Sequence, residues 1–178
     1  MLSTEDFKKQ IEILSNGQYL SYAQSRKAFE YIMSGNATDI LISSFLTSLK
    51  IIFLNSGISS EIIAAGADIM REKAIKIKAS DDTIDVVGTG GDGHNTLNIS
   101  TATALVVAGT GVQVAKHGNY SASSMSGSAD VLLSLGININ NDISNVQKCL
   151  DECGICFLFA PKHHSAMKHV MSVRKELH

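Results

Sequence analysis

The chain has 178 residues and a formal net charge of −2, and hydrophobic residues make up 44% of it, enough for a sizeable core. The balanced charge gives no general attraction to nucleic acid or to an anionic membrane, so neither is expected as a partner. Three cysteines are too few for a disulfide framework, and Glu5 and Asp6 lie where a secretion signal needs basic residues. We therefore expect a reducing, cytoplasmic setting.

Apolar residues recur at helical spacing through the first eighty residues and predict four short helices joined by short loops. Phe7, Ile11 and Leu14 mark the first of them. The third, within residues 40–58, is apolar enough to suggest a membrane span, but Lys50 lies near its middle and polar residues interrupt it, which favours a buried helix ending in a turn. These helices predict a small bundle over residues 1–78.

From residue 79 onward, short β-branched runs alternate with helical segments. Strands are predicted at residues 84–87, 111–115 and 155–160, and helices at residues 98–108, 123–135, 143–152 and from Ser165 to the end. This alternation is typical of an α/β unit with a parallel sheet. Three strands are few for such a sheet, so residues 79–178 are expected to form only the first part of a truncated α/β domain.

A glycine-rich loop, residues 88–93, follows the first predicted strand and leads into a helix. Glycines let the backbone approach an anion closely, and a helix N-terminus favours negative charge, so the loop predicts a phosphate site rather than a plain tight turn. Further polar groups follow at Thr96, Asn98, Ser100 and Thr101. Asp92 inside the loop indicates hydroxyls or Mg²⁺ beside the phosphates, and Ser100 is a candidate ligand for that metal.

Other interpretations of these motifs are weaker. The loop has dinucleotide-binding spacing at Gly88, Gly90 and Gly93, but the acid required about twenty residues later is absent. A Walker loop is excluded because no Gly-Lys-Ser/Thr occurs. The CGIC sequence at residues 153–156 has redox or half-zinc spacing, but it enters a strand and has no second pair, so structural cysteines are expected.

Polar clusters also follow the second and third predicted strands. Lys116 and Asn119 belong to a KHGN sequence, and His164 lies ten residues before Arg174. Because ligands bind at the carboxyl ends of parallel strands, Lys116 and Asn119 should lie beside the glycine loop. His164 and Arg174 are suited to binding a carboxylate. Residues 123–130 (SSMSGSAD) add hydroxyls that either cap a helix or hold a second phosphate group.

These motifs together resemble the anthranilate phosphoribosyltransferases, of the family that includes the pyrimidine nucleoside phosphorylases. The similar stretches are GTGGDGHNTLNIST, KHGN, SSMSGSADVLLSLG and FLFAPKHHSAMKHVMSVRKEL, in order and spacing, together with YIMSG and ADIMREKA in the bundle. The likeness covers essentially the whole chain. A nucleoside phosphorylase fits less well, because the His164 and Arg174 pair suits an anionic aromatic acceptor, and the absence of a basic run disfavours the family's nucleic-acid-binding branch.

The resemblance implies a homodimer through the helical domain. It also implies transfer of ribose 5-phosphate from phosphoribosyl pyrophosphate to anthranilate, with Mg²⁺ assisting, as the second step from chorismate to tryptophan. No nucleophile is implied, so catalysis rests on positioning and electrostatics. The implied phosphoribosyl pyrophosphate positions are Gly88, Gly90, Gly91, Asp92, Thr96, Asn98, Ser100, Thr101, Lys116 and Ser128. The implied anthranilate positions are Gly88, Asn119, His164 and Arg174, and the implied metal position is Ser100.

The chain departs from the family pattern in composition and in length. Tyr120 stands where the family has arginine, Met125 where a basic residue is common and Ser165 where proline is common. Family chains are roughly twice as long, and their second half carries further strands and an Asp-Glu pair that holds Mg²⁺. We therefore expect this chain to be inactive alone, either because it works with a separate C-terminal half or because it is a remnant that only dimerises or binds phosphoribosyl pyrophosphate.

Overall fold

The structure, a computed structural model, describes residues 2–88, 97–121 and 126–177. It divides into two compact units, one formed by Met1–Ala74 with His164–His178 and the other by Ile75–His163. The domain boundary expected after residue 78 lies close to the observed boundary between Ala74 and Ile75. The C-terminal segment differs from the expectation, because Val170 and Val173 are buried in the core of the helical unit.

The helices and strands follow the predicted order. The helices are α1 (Thr4–Ser15), α2 (Tyr22–Met33), α3 (Asp39–Ser56), α4 (Ser60–Lys73), α5 (Ile99–Gly109), α6 (Ser128–Ser134), α7 (Ile143–Cys153), α8 (Ala160–His163) and α9 (Met171–Leu177). The strands are β1 (Val114–Gly118) and β2 (Ile155–Phe159), and a 3-10 turn covers Ser165–His169. The single C-terminal helix predicted from Ser165 is thus two short elements.

Helices α1 to α4 begin where hydroxyl side chains cap them. The hydroxyls of Ser3, Ser21, Thr38 and Ser59 each accept a backbone N–H from the first turn. Such caps satisfy amide groups that a helix start leaves without partners. The sequence pattern and the caps therefore specify the same four helices, which confirms the predicted bundle.

The core of the helical unit is built around Phe45, which is fully buried. Its ring lies 5.5 Å from that of Phe7 and 5.7 Å from that of Phe29, measured between ring centroids. By length and composition alone, α3 is the one helix in the described ranges that could span a membrane, which is weak evidence for a membrane span. In this unit α3 buries Phe45 but exposes Ile40 and Leu54.

In the α/β unit, β1 and β2 pair in parallel with Lys116 opposite Phe157. The predicted strand at residues 84–87 is reduced to one parallel bridge between Ile84 and Val114. The strand predicted to begin at Gly111 begins at Val114, because Gly111 (φ +92°) instead completes the turn that ends α5. The helix predicted from residue 123 is described only from Ser128.

The two faces of this sheet carry separate apolar clusters, because successive strand residues point to opposite sides. One cluster joins Phe159 to Leu132 of α6 and to Ile139. The other joins Leu158 to Leu150 of α7. Helical cover on both faces is the arrangement that a parallel sheet requires, and it confirms the α/β fold class.

Candidate functional site

Lys116 lies in β1 with only 3% of its surface exposed. Its Nζ donates a hydrogen bond of 2.7 Å to the carbonyl oxygen of Val86, two residues before Gly88. Burial lowers the pKa of Lys116, and the charge of Asp85 partly opposes this. A buried ammonium is stabilised by an anionic partner, so this position suits a phosphate.

Asp85 ties the segment before the glycine loop to the end of β1. Its Oδ1 accepts the backbone N–H of His117 at 3.0 Å. The half-buried His117 ring packs edge-on against that of His163, with centroids 5.0 Å apart. Burial is the main cause that lowers the pKa of His117, and Lys116 lowers it further. The neutral imidazole is therefore favoured beside the buried lysine.

The N-terminus of α5 gathers several of the predicted donor-binding residues. Asn98 caps this helix, and its Oδ1 accepts the backbone N–H of Thr101 at 3.2 Å. The Thr101 hydroxyl is buried and has no hydrogen-bond partner within the described ranges. Ser100 faces Gly88, since a Cβ added to that glycine would lie 4.0 Å from the serine Oγ. Gly88 thus lies next to the first turn of α5, at a helix N-terminus that favours negative charge.

Asn119 and Ser128 meet where the loop after β1 enters α6. The Asn119 carbonyl accepts the backbone N–H of Ala129 at 3.1 Å and the Ser128 hydroxyl at 3.4 Å. Its side-chain Oδ1 accepts the Tyr120 N–H at 2.8 Å, which leaves the amide nitrogen as a donor. The tyrosine ring itself packs edge-on against Phe159 at 5.3 Å. Tyr120 therefore has a packing role where the family pattern has a cation.

The Asp130 carboxylate accepts hydrogen bonds from residues on both sides of this loop, a role that the sequence motifs do not predict. Its Oδ2 accepts the backbone N–H groups of Ser121 at 3.0 Å and Gly127 at 2.7 Å. These two bonds lower the pKa of the carboxyl group. The available signal was its position three residues after Gly127, at the start of a helix, where an acid closes a capping box.

The absence of a side chain at Gly118 brings β1 and α6 together. A Cβ at this position would overlap the Ser128 hydroxyl and lie 2.6 Å from a ring atom of Phe157. Contacts this short do not occur between real side chains. Glycine at the end of β1 thus allows Ser128 and Phe157 to approach the strand closely.

The other predicted residues fall into two groups. Gly90, Gly91, Asp92, Thr96 and Met125 fall outside the described residues. His164 and Arg174 belong to the helical unit, where His164 precedes the 3-10 turn and Arg174 is exposed on α9. Among the described residues, the donor-binding predictions Gly88, Asn98, Ser100, Thr101, Lys116 and Ser128 belong to the α/β unit. The anthranilate predictions His164 and Arg174 belong to the helical unit.

Two family descriptions cover nearly all of the chain. The helical bundle domain of a glycosyl transferase family matches residues 8–74, and the a/b domain of a glycosyl transferase family matches residues 80–178. The chain therefore belongs to this glycosyltransferase family, with a helical bundle followed by an α/β domain. This confirms the fold and the family that the motifs indicate.

The similar proteins are named anthranilate phosphoribosyltransferase. The one from Parvibaculum lavamentivorans is 51% identical over 97% of this chain and 49% of its own length, and the one from Rhodospirillum rubrum is 51% identical over 98% and 49%. The Thermus thermophilus structure has a TM-score of 0.85 at 38% identity and covers 94% of this chain and 50% of its own. The Saccharomyces cerevisiae structure in complex with PRPP and Mg has a TM-score of 0.86 at 30% identity and covers 98% and 52%. The chain thus spans about half the length of these relatives and corresponds to their N-terminal half.

Proposed function

We propose that this chain supplies the donor-binding half of an anthranilate phosphoribosyltransferase. The complete enzyme transfers ribose 5-phosphate from phosphoribosyl pyrophosphate to the amino group of anthranilate and releases pyrophosphate, within tryptophan biosynthesis. The observation that carries the proposal is the buried ammonium of Lys116 at the Val86 carbonyl, in a chain 51% identical to proteins of that name. Because the match covers about half of those proteins, we assign the activity to this chain together with the C-terminal half that those proteins contain.

The described residues bind and orient the donor in this proposal. Lys116 neutralises phosphate charge from inside the sheet, and the N-terminus of α5 supplies positive partial charge next to Gly88. Ser128 adds a hydroxyl from the start of α6. By resemblance, Gly90, Gly91, Asp92 and Thr96 complete the donor contacts. The reaction then depends on fixed charges around a leaving pyrophosphate and needs no protein nucleophile.

We propose Mg²⁺ as the cofactor, with Ser100 as a protein ligand. A Saccharomyces cerevisiae relative has been solved with PRPP and Mg. The donor set here fits that ion, because Mg²⁺ prefers oxygen ligands and the Ser100 hydroxyl faces Gly88 at the helix start. When bound, Mg²⁺ neutralises charge on the pyrophosphate leaving group.

For the acceptor, we propose Gly88, Asn119, His164 and Arg174 as anthranilate contacts. The amide nitrogen of Asn119 is available as a donor because its Oδ1 already accepts the Tyr120 N–H. A Saccharomyces cerevisiae relative has been solved in complex with 4-fluoroanthranilate, which supports this class of acceptor.

We also propose a cytoplasmic homodimer formed through the helical unit. Helix α3 and the turn after it expose apolar side chains, including Ile40 at 78%, Leu54 at 75% and Ile58 at 73%. Apolar groups exposed to this extent are typical of interaction surfaces. The expected dimer partner is a second copy of this chain.

A second candidate function is a remnant without catalysis that only dimerises or binds phosphoribosyl pyrophosphate. Tyr120 favours this second candidate. The arginine of the family pattern would add positive charge beside the donor phosphates, whereas tyrosine adds none. Its ring packs against Phe159 instead.

Calorimetric titration of the folded chain with phosphoribosyl pyrophosphate and Mg²⁺ tests the donor site directly. We expect saturable binding that falls at least tenfold in Lys116→Met, since one charge-assisted bond contributes about 1.5–3 kcal/mol. Lys148→Met is the matched control, because Lys148 lies on the exposed side of α7 beside Glu152. No binding by the folded chain, or equal binding by Lys116→Met, would contradict the proposal.

A further inference from the structure

Two histidines of the α/β unit lie side by side near the end of β1. The rings of His117, in β1, and His163, the last residue of α8, pack edge-on with their centroids 5.0 Å apart. One ring nitrogen of His117 and one of His163 lie within 4.8 Å of each other. Imidazole is the commonest protein ligand of metal ions, and it suits zinc, copper and nickel. The pair therefore has the chemistry of a metal site, and the proposed function does not use it.

Backbone contacts fix the positions of both residues. His117 pairs with Leu158 across the sheet, and its N–H donates to Asp85 Oδ1 at 3.0 Å. The His163 carbonyl accepts the N–H of Ile75 at 3.0 Å. Because each Zn–N bond is about 2.1 Å long and zinc sites are tetrahedral, two nitrogens on one ion lie about 3.4 Å apart. Side-chain rotations that bring the two nitrogens about 1.4 Å closer are therefore enough to bind one ion.

The surroundings of the pair favour a cation. Asp85 and His163 line the same cavity of about 310 Å³, which has room for an ion and several waters of about 30 Å³ each. Lys76 also lines this cavity, so both signs of charge are present in it. Of the two charges that act on the His117 ring, the Asp85 carboxylate has the larger effect and the Lys116 ammonium opposes it. Asp85 therefore supplies the negative charge that a divalent ion requires.

We propose that His117 and His163 form a binding site for a divalent transition metal such as Zn²⁺, with Asp85 as the neighbouring anion and water in the remaining positions. The site differs from the Mg²⁺ position proposed at Ser100, because Mg²⁺ prefers oxygen ligands. His164 follows next in sequence but belongs to the helical unit, so it is not part of the proposed ligand set. The inference goes beyond the proposed function and does not depend on it.

Calorimetric titration of the folded, metal-free 178-residue chain with Zn²⁺ tests the site. We expect saturable binding that weakens at least about tenfold in His117→Gln and in His163→Gln, since loss of even an indirect partner of a metal costs about 10–100-fold in affinity. His169→Gln is the matched control, because the His169 ring lies over Gly35 in the helical unit. Its affinity should stay within about twofold of the wild type. Circular dichroism identifies the variants that remain folded.

Cobalt spectroscopy distinguishes this site from the cysteines. Cys149 and Cys153 are exposed, and thiolates also bind zinc. A Co²⁺ complex with thiolate ligands has a strong sulfur-to-cobalt charge-transfer band, which a complex with imidazole ligands lacks. We expect weak visible absorption without that band, lost in His163→Gln and unchanged by excess Mg²⁺.

Four results would overturn the inference. They are no saturable Zn²⁺ binding by the folded chain, wild-type affinity in either folded variant of the pair, a sulfur-to-cobalt band, and displacement of Co²⁺ by Mg²⁺. The first would show that the two rings only pack against each other, and the third would assign the metal to the cysteines. Phosphoribosyl pyrophosphate is absent from these titrations, so their failure leaves the proposed function untouched.

Discussion

Replacement of Gly118 by alanine tests whether close approach at the end of β1 builds the donor site. A Cβ there would lie 2.6 Å and 2.9 Å from two ring atoms of Phe157 and would also overlap the Ser128 hydroxyl. The Phe157 ring packs against the cluster that contains Leu132 and Phe159, so it cannot move away freely. Overpacking of this kind costs about 1–3 kcal/mol, and we expect that loss in the stability of the α/β unit.

The matched control for this change is Gly109→Ala at the end of α5. An added Cβ there meets no atom within 4 Å, and Gly109 does not have positive φ. Alanine at such a position stabilises by about 0.4–1 kcal/mol, so the two variants should move in opposite directions.

Amide hydrogen exchange of residues 114–118, followed by mass spectrometry, measures the opening free energy of this unit. We expect faster exchange for Gly118→Ala, slower or equal exchange for Gly109→Ala, and weaker phosphoribosyl pyrophosphate binding for Gly118→Ala alone because Ser128 is displaced. Wild-type exchange and binding in Gly118→Ala would refute the argument that this glycine allows the close approach.

Three further predictions follow from the described contacts. Phe45→Ala should lower the unfolding free energy of the helical unit by about 3–5 kcal/mol in urea denaturation, whereas Lys50→Ala, exposed on the same helix, should change it by less than about 0.5 kcal/mol. Lys116→Met should leave the fold as stable as the wild type or more so at pH 7, because it removes a buried charge, and an unfolded variant would contradict this. Asp130→Asn should speed amide exchange at Ser121. Because the pKa of Asp130 is lowered, the wild-type Ser121 amide should stay protected above the ordinary carboxyl pKa and lose protection as the pH falls through the lowered value. A pH-independent rate after correction for intrinsic exchange would argue against this role.

The helical bundle was predictable from the sequence because its signals are local. Apolar spacing and caps such as the Ser21 and Gln24 capping box lie within a few residues of each other. The C-terminal segment was not predictable in the same way, because its assignment depends on Val170 and Val173 entering a core more than a hundred residues away in sequence. The start of β1 was placed too early because Gly111 has no side chain to distinguish a helix-ending turn from a strand.

The candidate site was partly predictable because its residues follow motifs. Lys116 and Ser100 are predicted beside the glycine loop, and in the structure Lys116 donates to the Val86 carbonyl and Ser100 faces Gly88. Their binding roles stay predictions. The sequence predicts neither the burial of Lys116 nor the two backbone hydrogen bonds that Asp130 accepts. Both depend on backbone groups that only the tertiary fold brings close to these side chains, and no sequence pattern specifies such contacts.

The most direct test of the central claim is the loss of anthranilate fluorescence in the presence of phosphoribosyl pyrophosphate and Mg²⁺. It compares the chain alone, the chain co-produced with the C-terminal half of the Parvibaculum lavamentivorans relative, and the same complex carrying Lys116→Met. We expect turnover only in the complex with native Lys116. Turnover by the chain alone would contradict the claim that it supplies one half of a site, and a folded complex that binds the donor without turnover would contradict the proposed activity.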